Sequence, residues 1–200
     1  MAAFDFDGTL TRRDTLLPFL HYYVGTTRFM AMMIRIAPVL LTYAMGILRN
    51  DQAKESMLRC FLAGRTLAQV EAAGTKFAAL RLPALLRIRA LERFKWHLRQ
   101  GHTCILVSAS LTHYLEPWAR RAGFDHVLAS RLETDATGCV TGRLVEGNCY
   151  GVEKARRLRA LLAPRKSCTL YAYGDSRGDR EMLALADYPY FRTMPKAECG

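Results

Sequence analysis

The sequence predicts an α/β fold in which a parallel sheet carries helices on both faces and an all-helical insertion follows the first strand. Three observations carry this. Short apolar runs alternate with helix-period stretches at the start of the chain and again from residue 101 onward. Three of those runs close on a carboxylate or a hydroxyl, at Asp5, Ser108 and Asp175. Between them, residues 14–100 read as four or five helices with no convincing strand. The expected division is a sheet-bearing core of residues 1–13 and 101–200 and a helical insertion of residues 14–100.

The first strand is expected at about residues 2–6, ahead of Gly8. Asp14 and Thr15 offer N-cap oxygens before a helix over Leu16–Val24, with Pro18 in its opening turn. Phe29–Leu48 runs for 20 residues with one charge, Arg35, and one proline, Pro38, and its apolar groups face every direction. Three readings stay open there: a buried helix of the insertion, a helix lying in a membrane interface, and a span. Arg35 and Pro38 count against the span, because a charge near mid-bilayer costs about 2.5–3.5 kcal/mol. Arg28, Arg49, Lys54 and Arg59 nearby suit anionic headgroups and suit a solvated face equally well. Leu82–Gln100 reads as one amphipathic helix with Leu85, Ile88, Leu91, Phe94 and Leu98 on its apolar side.

The second half alternates cleanly. A strand is expected over Thr103–Ser108, a helix over Thr112–Ala122 and a short strand near Val127–Ser130. Asp135-Ala136-Thr137-Gly138 is a turn signal that makes Arg131–Val145 a β-hairpin. A helix over Val152–Leu162, stopped by Pro164, leads to a buried strand over Cys168–Tyr173. A helix near Arg180–Ala186 and an edge strand at Tyr188–Phe191 complete the sheet. Ligands of such sheets bind beyond the carboxyl ends of the strands, where Asp5, Ser108 and Asp175 fall.

Half the residues are hydrophobic, enough for a core without staples. The six cysteines, at 60, 104, 139, 149, 168 and 199, show no CxxC pair, so reduced thiols are expected, with Cys104 and Cys168 inside core strands. No secretory signal is visible: Arg12 is the first basic residue, and Asp5 and Asp7 interrupt any early apolar run. The net charge of +11 favours an anionic partner. No nucleic-acid-binding motif accompanies it, so a phosphorylated substrate or an anionic membrane surface is expected instead. The histidines have no paired ligand spacing, and neither GxSxG nor GxxxxGK[ST] occurs, which excludes serine-hydrolase and P-loop readings.

The chemistry is concentrated in four places. Phe4-Asp5-Phe6-Asp7-Gly8-Thr9-Leu10-Thr11 places two carboxylates on alternate positions of a strand end, pointing the same general way. Such a pair is costly to bury without a cation or a proton. Ile105-Leu106-Val107-Ser108 ends in a hydroxyl, Lys154 opens a helix, and Tyr173-Gly174-Asp175-Ser176-Arg177-Gly178-Asp179 carries a second aspartate pair. Alone, each has a bland explanation: a capped turn, a strand-end hydroxyl, a solvated lysine, a helix cap at Asp179. As an ordered set they resemble the haloacid dehalogenase superfamily of phosphotransferases. The helical insertion is similar to the cap of its phosphoserine-phosphatase-like branch, on a Rossmann-like sheet.

The resemblance implies a Mg²⁺-dependent phosphomonoesterase working through an aspartyl-phosphate. Asp5 would be the nucleophile and Asp7 the general acid and base. Gly8 would let backbone N–H groups approach the phosphoryl oxygens, Ser108 would hydrogen-bond one of them, and Ala109 would supply a backbone N–H. Lys154 would neutralise charge in the transition state. Mg²⁺ would be held by Asp5, the backbone carbonyl of Asp7 and Asp175, with Asp179 acting directly or through water. Asp14 is a further candidate for substrate contact. The basic, apolar insertion resembles that of bacterial phosphatidylglycerophosphate phosphatases. It implies a lipid-linked phosphate as substrate and a cytoplasmic chain, peripheral at the inner face of a membrane. A soluble phosphoserine-like ester is the alternative, and a non-catalytic binding protein of this fold a third reading.

Overall fold

The computed structural model describes residues 1–163 and 168–195. Six strands form one sheet in the order β4-β3-β2-β1-β5-β6: β1 Ala2–Phe4, β2 Cys104–Leu111, β3 His126–Thr134, β4 Val140–Val145, β5 Tyr171–Gly174 and β6 Tyr188–Phe191. Every pairing is parallel except β3 with β4, which is the hairpin expected from the Asp135–Gly138 turn. Eight helices surround it: α1 Leu16–Val24, α2 Thr26–Ala44, α3 Asn50–Leu62, α4 Leu67–Leu80, α5 Ile88–Arg99, α6 Thr112–Ala122, α7 Val152–Leu162 and α8 Arg180–Leu183.

Side-chain alternation along the buried strands divides the core in two. Ala2, Phe4, Leu106 and Tyr173 face a large cluster built with α1 and α3–α6, whereas Ala3, Ile105, Val107 and Ala172 face a smaller one with α7 and α8. On the first face Phe94 of α5 stacks on Phe124 with centroids 4.1 Å apart, and Phe4 stacks on Tyr173 at 4.6 Å. Thus α5, drawn above as the last helix of the insertion, lies against the sheet.

Several expected boundaries move. The first strand stops at Phe4 rather than residue 6, because the chain enters a tight irregular turn, Phe6–Leu10, in which Gly8 takes φ +82°. The strand expected over Thr103–Ser108 runs three residues further, to Leu111. The single helix expected over Leu82–Gln100 is two pieces. Pro83 starts a short turn at Leu82–Leu85, and Leu86 and Arg87 are extended because this stretch pairs with the chain at the end of the Phe6–Leu10 turn. There Arg12 N–H donates to Leu85 O and Arg87 N–H to Leu10 O, both at 2.8 Å. Cys168 precedes β5 and is half-buried. The helix expected to Ala186 ends at Leu183. Pro164 and Cys199 lie outside the described residues; Cys60, Cys104, Cys139, Cys149 and Cys168 are free thiols.

Phe29–Leu48 belongs mostly to α2, and the buried reading of it fails. Ile36 alone is buried, although Phe29, Met32 and Met33 pack partly against the large cluster. Ile34 is 74% exposed, Leu41 61% and Ile47 72%. Among the described residues no helix is long and apolar enough to cross a membrane.

The hairpin clasps the insertion. Gly64 N–H donates to Val140 O, Val140 N–H to Arg65 O and Leu67 N–H to Gly138 O, at 2.8–3.1 Å. Leu144 N–H donates to Glu55 Oε1 at 3.1 Å. Gly142, at φ +86°, must be glycine because a Cβ there would collide with the Arg59 backbone on α3.

Candidate active site

The sheet presents three functional ends at one edge. Asp5 follows β1 and its N–H donates to Tyr173 O of β5 at 2.9 Å, which holds the residue in register with the neighbouring strand. Asp175 follows β5, and Ser108, Ala109 and Ser110 end β2. Above them α1, α2 and α3 close a cavity of about 540 Å³. Asp5, Asp7, Gly8, Ala109, Lys154 and Asp175 all line it.

Lys154 is the tie at its floor. Its Nζ donates to Asp5 Oδ1 at 2.5 Å and to Asp179 Oδ1 at 2.6 Å. All three side chains are buried, Lys154 to 2% and Asp179 to 0% exposure, so the solvated reading of Lys154 does not hold. Burial opposes the ammonium, but Asp5 and Asp179 together hold its pKa above the usual lysine value. Burial pushes the Asp5 carboxyl up to about 7, against the pull of Lys154. Asp179 is fixed from behind: its Oδ2 accepts from Asp175 N–H, Ser176 N–H and the Ser176 hydroxyl at 2.8–3.2 Å.

Asp7 belongs to a separate network. It sits in the turn after β1, and its carboxylate accepts from Thr15 N–H at 2.8 Å, the Thr15 hydroxyl at 2.6 Å and the Ser110 hydroxyl. Burial and Asp14 raise its pKa to about 6, with Ser110 and Thr15 pulling it down. The two aspartates therefore share a cavity but not a set of partners. That is an arrangement for one carboxylate held by a cation and another that exchanges protons near neutrality.

Gly8 turns between them. A Cβ there would run into the Asp175 carboxylate, and its φ of +82° is strained for any other residue. Its N–H donates to Thr11 Oγ1 at 3.2 Å. Ser108 is fully buried and does not line the cavity; its Oγ accepts Ser110 N–H at 3.0 Å, which leaves its own proton free to donate. Ala109 turns its carbonyl to Lys54. Asp14 lines the cavity, and its Oδ1 accepts Leu16 N–H at 2.9 Å as the cap of α1.

The residue types and geometry fit a hard cation. Asp5, Asp175 and Asp179 each offer an oxygen within 4.8 Å of the others. Asp5 Oδ2 is buried with no hydrogen-bond partner, and burial raises the Asp175 carboxyl as well. Buried oxygens without donors are what a divalent cation satisfies. The Asp7 carboxylate is not part of this group.

Four residues escaped the sequence reading. Thr15 and Ser110 orient Asp7, and each lies close to a flagged residue, Asp14 or Ser108. Lys54 and Asn148 had no local signal. Lys54 reaches from α3 into the cavity, donating to Asn148 Oδ1 at 2.8 Å, so it is not a headgroup contact on the surface. Burial lowers its pKa to about 8.

A six-stranded α/β sheet thus carries buried carboxylates at its carboxyl edge beneath a helical roof. The chain belongs to the haloacid dehalogenase-like hydrolases, whose family model matches residues 2–184. It is 37% identical to Protein CicA of Caulobacter vibrioides over 198 residues, covering 98% of this chain and 88% of that one. A Mycobacterium tuberculosis relative named "Probable phosphatase" is 30% identical over 91% of this chain and 64% of its own. A Bordetella pertussis protein of unknown function superposes with a TM-score of 0.79 at 26% identity, over 92% of this chain and 86% of that one. Phosphoserine phosphatase, solved with an analogue of its phospho-aspartyl intermediate, shares the fold at a TM-score of 0.65 and 18% identity, over 92% and 82% of the two chains.

Proposed function

We propose that this hydrolase is a Mg²⁺-dependent phosphatase that releases phosphate from a lipid-linked monoester at an anionic membrane surface. The observation that supports the chemistry is Asp5: one oxygen tied to Lys154, the other buried and unpartnered over the acidic group. Asp5 attacks phosphorus, and the ester oxygen leaves with the proton of Asp7. Asp7 then takes a proton from the water that attacks the aspartyl-phosphate, so phosphate departs and both carboxylates are restored. Asp5, Asp175, the Asp7 carbonyl and, directly or through water, Asp179 would hold Mg²⁺, which would supply charge neutralisation for the anionic phosphate. Lys154 balances the charge that grows on phosphoryl oxygens, and Ser108, buried behind the cavity lining, holds the N–H of Ser110, the neighbour whose hydroxyl bonds Asp7.

The observation that favours a lipid substrate lies in α2. Leu40 and Tyr43 line the cavity while Ile34 and Leu41 of the same helix are exposed, so an apolar surface runs from the site to the outside. Arg28 and Arg35, both exposed, flank it. The alternative, a soluble metabolite ester, is supported by the polar wall of Asn50, Lys54 and Asn148. Phosphate release with Mg²⁺ from lipid monoesters in vesicles and from short soluble esters separates the two, with Asp5→Asn run alongside. Release from lipid esters alone, abolished by Asp5→Asn and by chelator, is expected. Release from soluble esters alone replaces the lipid reading, and release from none overturns the phosphatase.

A further inference from the structure

A second concavity adjoins the catalytic one. It measures about 770 Å³ and shares Gly8, Arg12, Arg87 and Asp175 with it as common walls. Arg89 and Arg192 complete a set of four arginines in its lining, and Asp175 is the sole acid there among the described residues. None of the four forms a salt bridge among the described residues, although Arg49, Arg120, Arg156 and Arg157 elsewhere all do.

Two of the guanidinium groups are aimed. Arg87 Nε donates to Thr11 O and Arg192 Nε to Asp175 O, each at 2.8 Å. Anchoring through Nε fixes the plane of each guanidinium and leaves its terminal N–H groups for another acceptor. The groove also receives the start of α5. Ile88, Arg89 and Ala90 of its first turn line it, and that helix has neither a side-chain cap nor an acid in its first turn. First-turn N–H groups have no acceptor within the helix, and the helix dipole favours an anion there. Four arginines against the single acid Asp175 and an uncapped twelve-residue helix start converge on one space.

We infer that this groove is a second anion subsite, and that the substrate's leaving group carries a further phosphate-class anion besides the one hydrolysed. The inference rests on the phosphatase reading and narrows its substrate class. The scissile phosphate lies in the catalytic cavity against Asp5, the leaving group passes the Gly8–Asp175 wall, and its second anion meets Arg12, Arg87, Arg89 and Arg192. A phosphodiester in a lipid headgroup and the second phosphate of a soluble bisphosphate present the same chemistry.

Two pairs of substrates test it. In solution, propanediol bisphosphate is compared with propyl phosphate. In phosphatidylcholine vesicles, phosphatidylglycerophosphate is compared with phosphatidic acid, which lacks the phosphodiester. The second anion is expected to raise kcat/KM by about tenfold or more in one arm, the size of one charge-assisted contact. The arm that responds identifies the source. Arg89→Ala, and Arg89→Ala with Arg192→Ala, are expected to shrink that ratio to about threefold or less. Equal rates within both pairs, or a ratio that survives both variants, overturns the inference. If no ester is hydrolysed, the phosphatase reading falls separately. Calorimetric binding of propanediol bisphosphate to Asp5→Asn protein then decides the subsite: binding that Arg89→Ala weakens about tenfold upholds it, and absent or unaltered binding overturns it.

Discussion

At the carboxyl edge of the sheet, Asp5, Lys154 and Asp179 are charged residues withdrawn almost completely from water. Along the outer side of α2, Ile34 and Leu41 are apolar residues left in it. Both are expensive placements, and they differ in what offsets the cost. At the floor, Lys154 meets both carboxylates and fixed hydrogen bonds hold Asp179, so most of the expense is balanced within the fold and Asp5 Oδ2 is the oxygen left for a cation. On α2 none of the described residues covers Ile34 or Leu41, so their exposure is not offset by them. The two regions thus differ in means, one settled by contacts inside the fold and the other left as an exposed apolar surface.

The sharpest way to break the floor is Asp5→Asn, which removes the proposed nucleophile while keeping its shape. Phosphate release is expected to fall about a thousandfold or more in a coupled assay, and a fall of less than tenfold would show that another group attacks. Lys154→Met leaves two buried carboxylates without their cation and is expected to cost about 3–5 kcal/mol, read by urea denaturation in metal-free buffer. A loss below about 1 kcal/mol would mean the pair is not balanced as described. Gly8→Ala forces a side chain against Asp175 in a strained conformation; a loss of about 1–3 kcal/mol, with activity reduced alongside, is expected.

A milder test concerns the buried His97, whose Nε2 meets the Tyr173 hydroxyl at 2.9 Å and whose Nδ1 meets His102 Nδ1 at 2.7 Å. Burial, with Arg93 and His102 adding to it, lowers its pKa to about 3. The unfolded chain therefore binds more protons than the folded one between about pH 3 and 6.5. Stability is expected to rise with pH through that window and to be fully present above it. Denaturation midpoints across the range check this, and the slope should flatten in His97→Gln. The smallest effect on the fold belongs to the other side of the comparison. Ile34→Asp with Leu41→Asp is expected to change stability by about 0.5 kcal/mol or less while abolishing cosedimentation with anionic vesicles. Undiminished vesicle binding would move the membrane contact elsewhere.

The parts of the fold that were legible follow from local pattern. Thr112–Ala122, Val152–Leu162 and Leu16–Val24 are helices over the expected ranges because periodicity and caps are written in adjacent residues. The ordered set of Asp5, Ser108, Lys154, Asp175 and Asp179 was legible because strand ends gather at one edge of a parallel sheet. The break at Leu86–Arg87 was not, since helix periodicity continues through it and only the bonds to Leu10 and Arg12 impose an extended chain. Nor was Lys54, a lysine like many others in sequence, whose entry into the cavity depends on where α3 is held.

By itself the sequence determined the sheet, most of its helices, the candidate acidic set and the family, since each is encoded in short runs or in the order of motifs. Tertiary structure alone decided that Asp5 and Asp7 answer to different partners, that Lys154 is buried, that the hairpin clasps the insertion and that α2 keeps an apolar face outside. Those outcomes depend on contacts between residues far apart in the chain, such as Lys154 with Asp5 and Leu144 with Glu55. Burial and electrostatic compensation are properties of such contacts, and no local pattern of residues contains them.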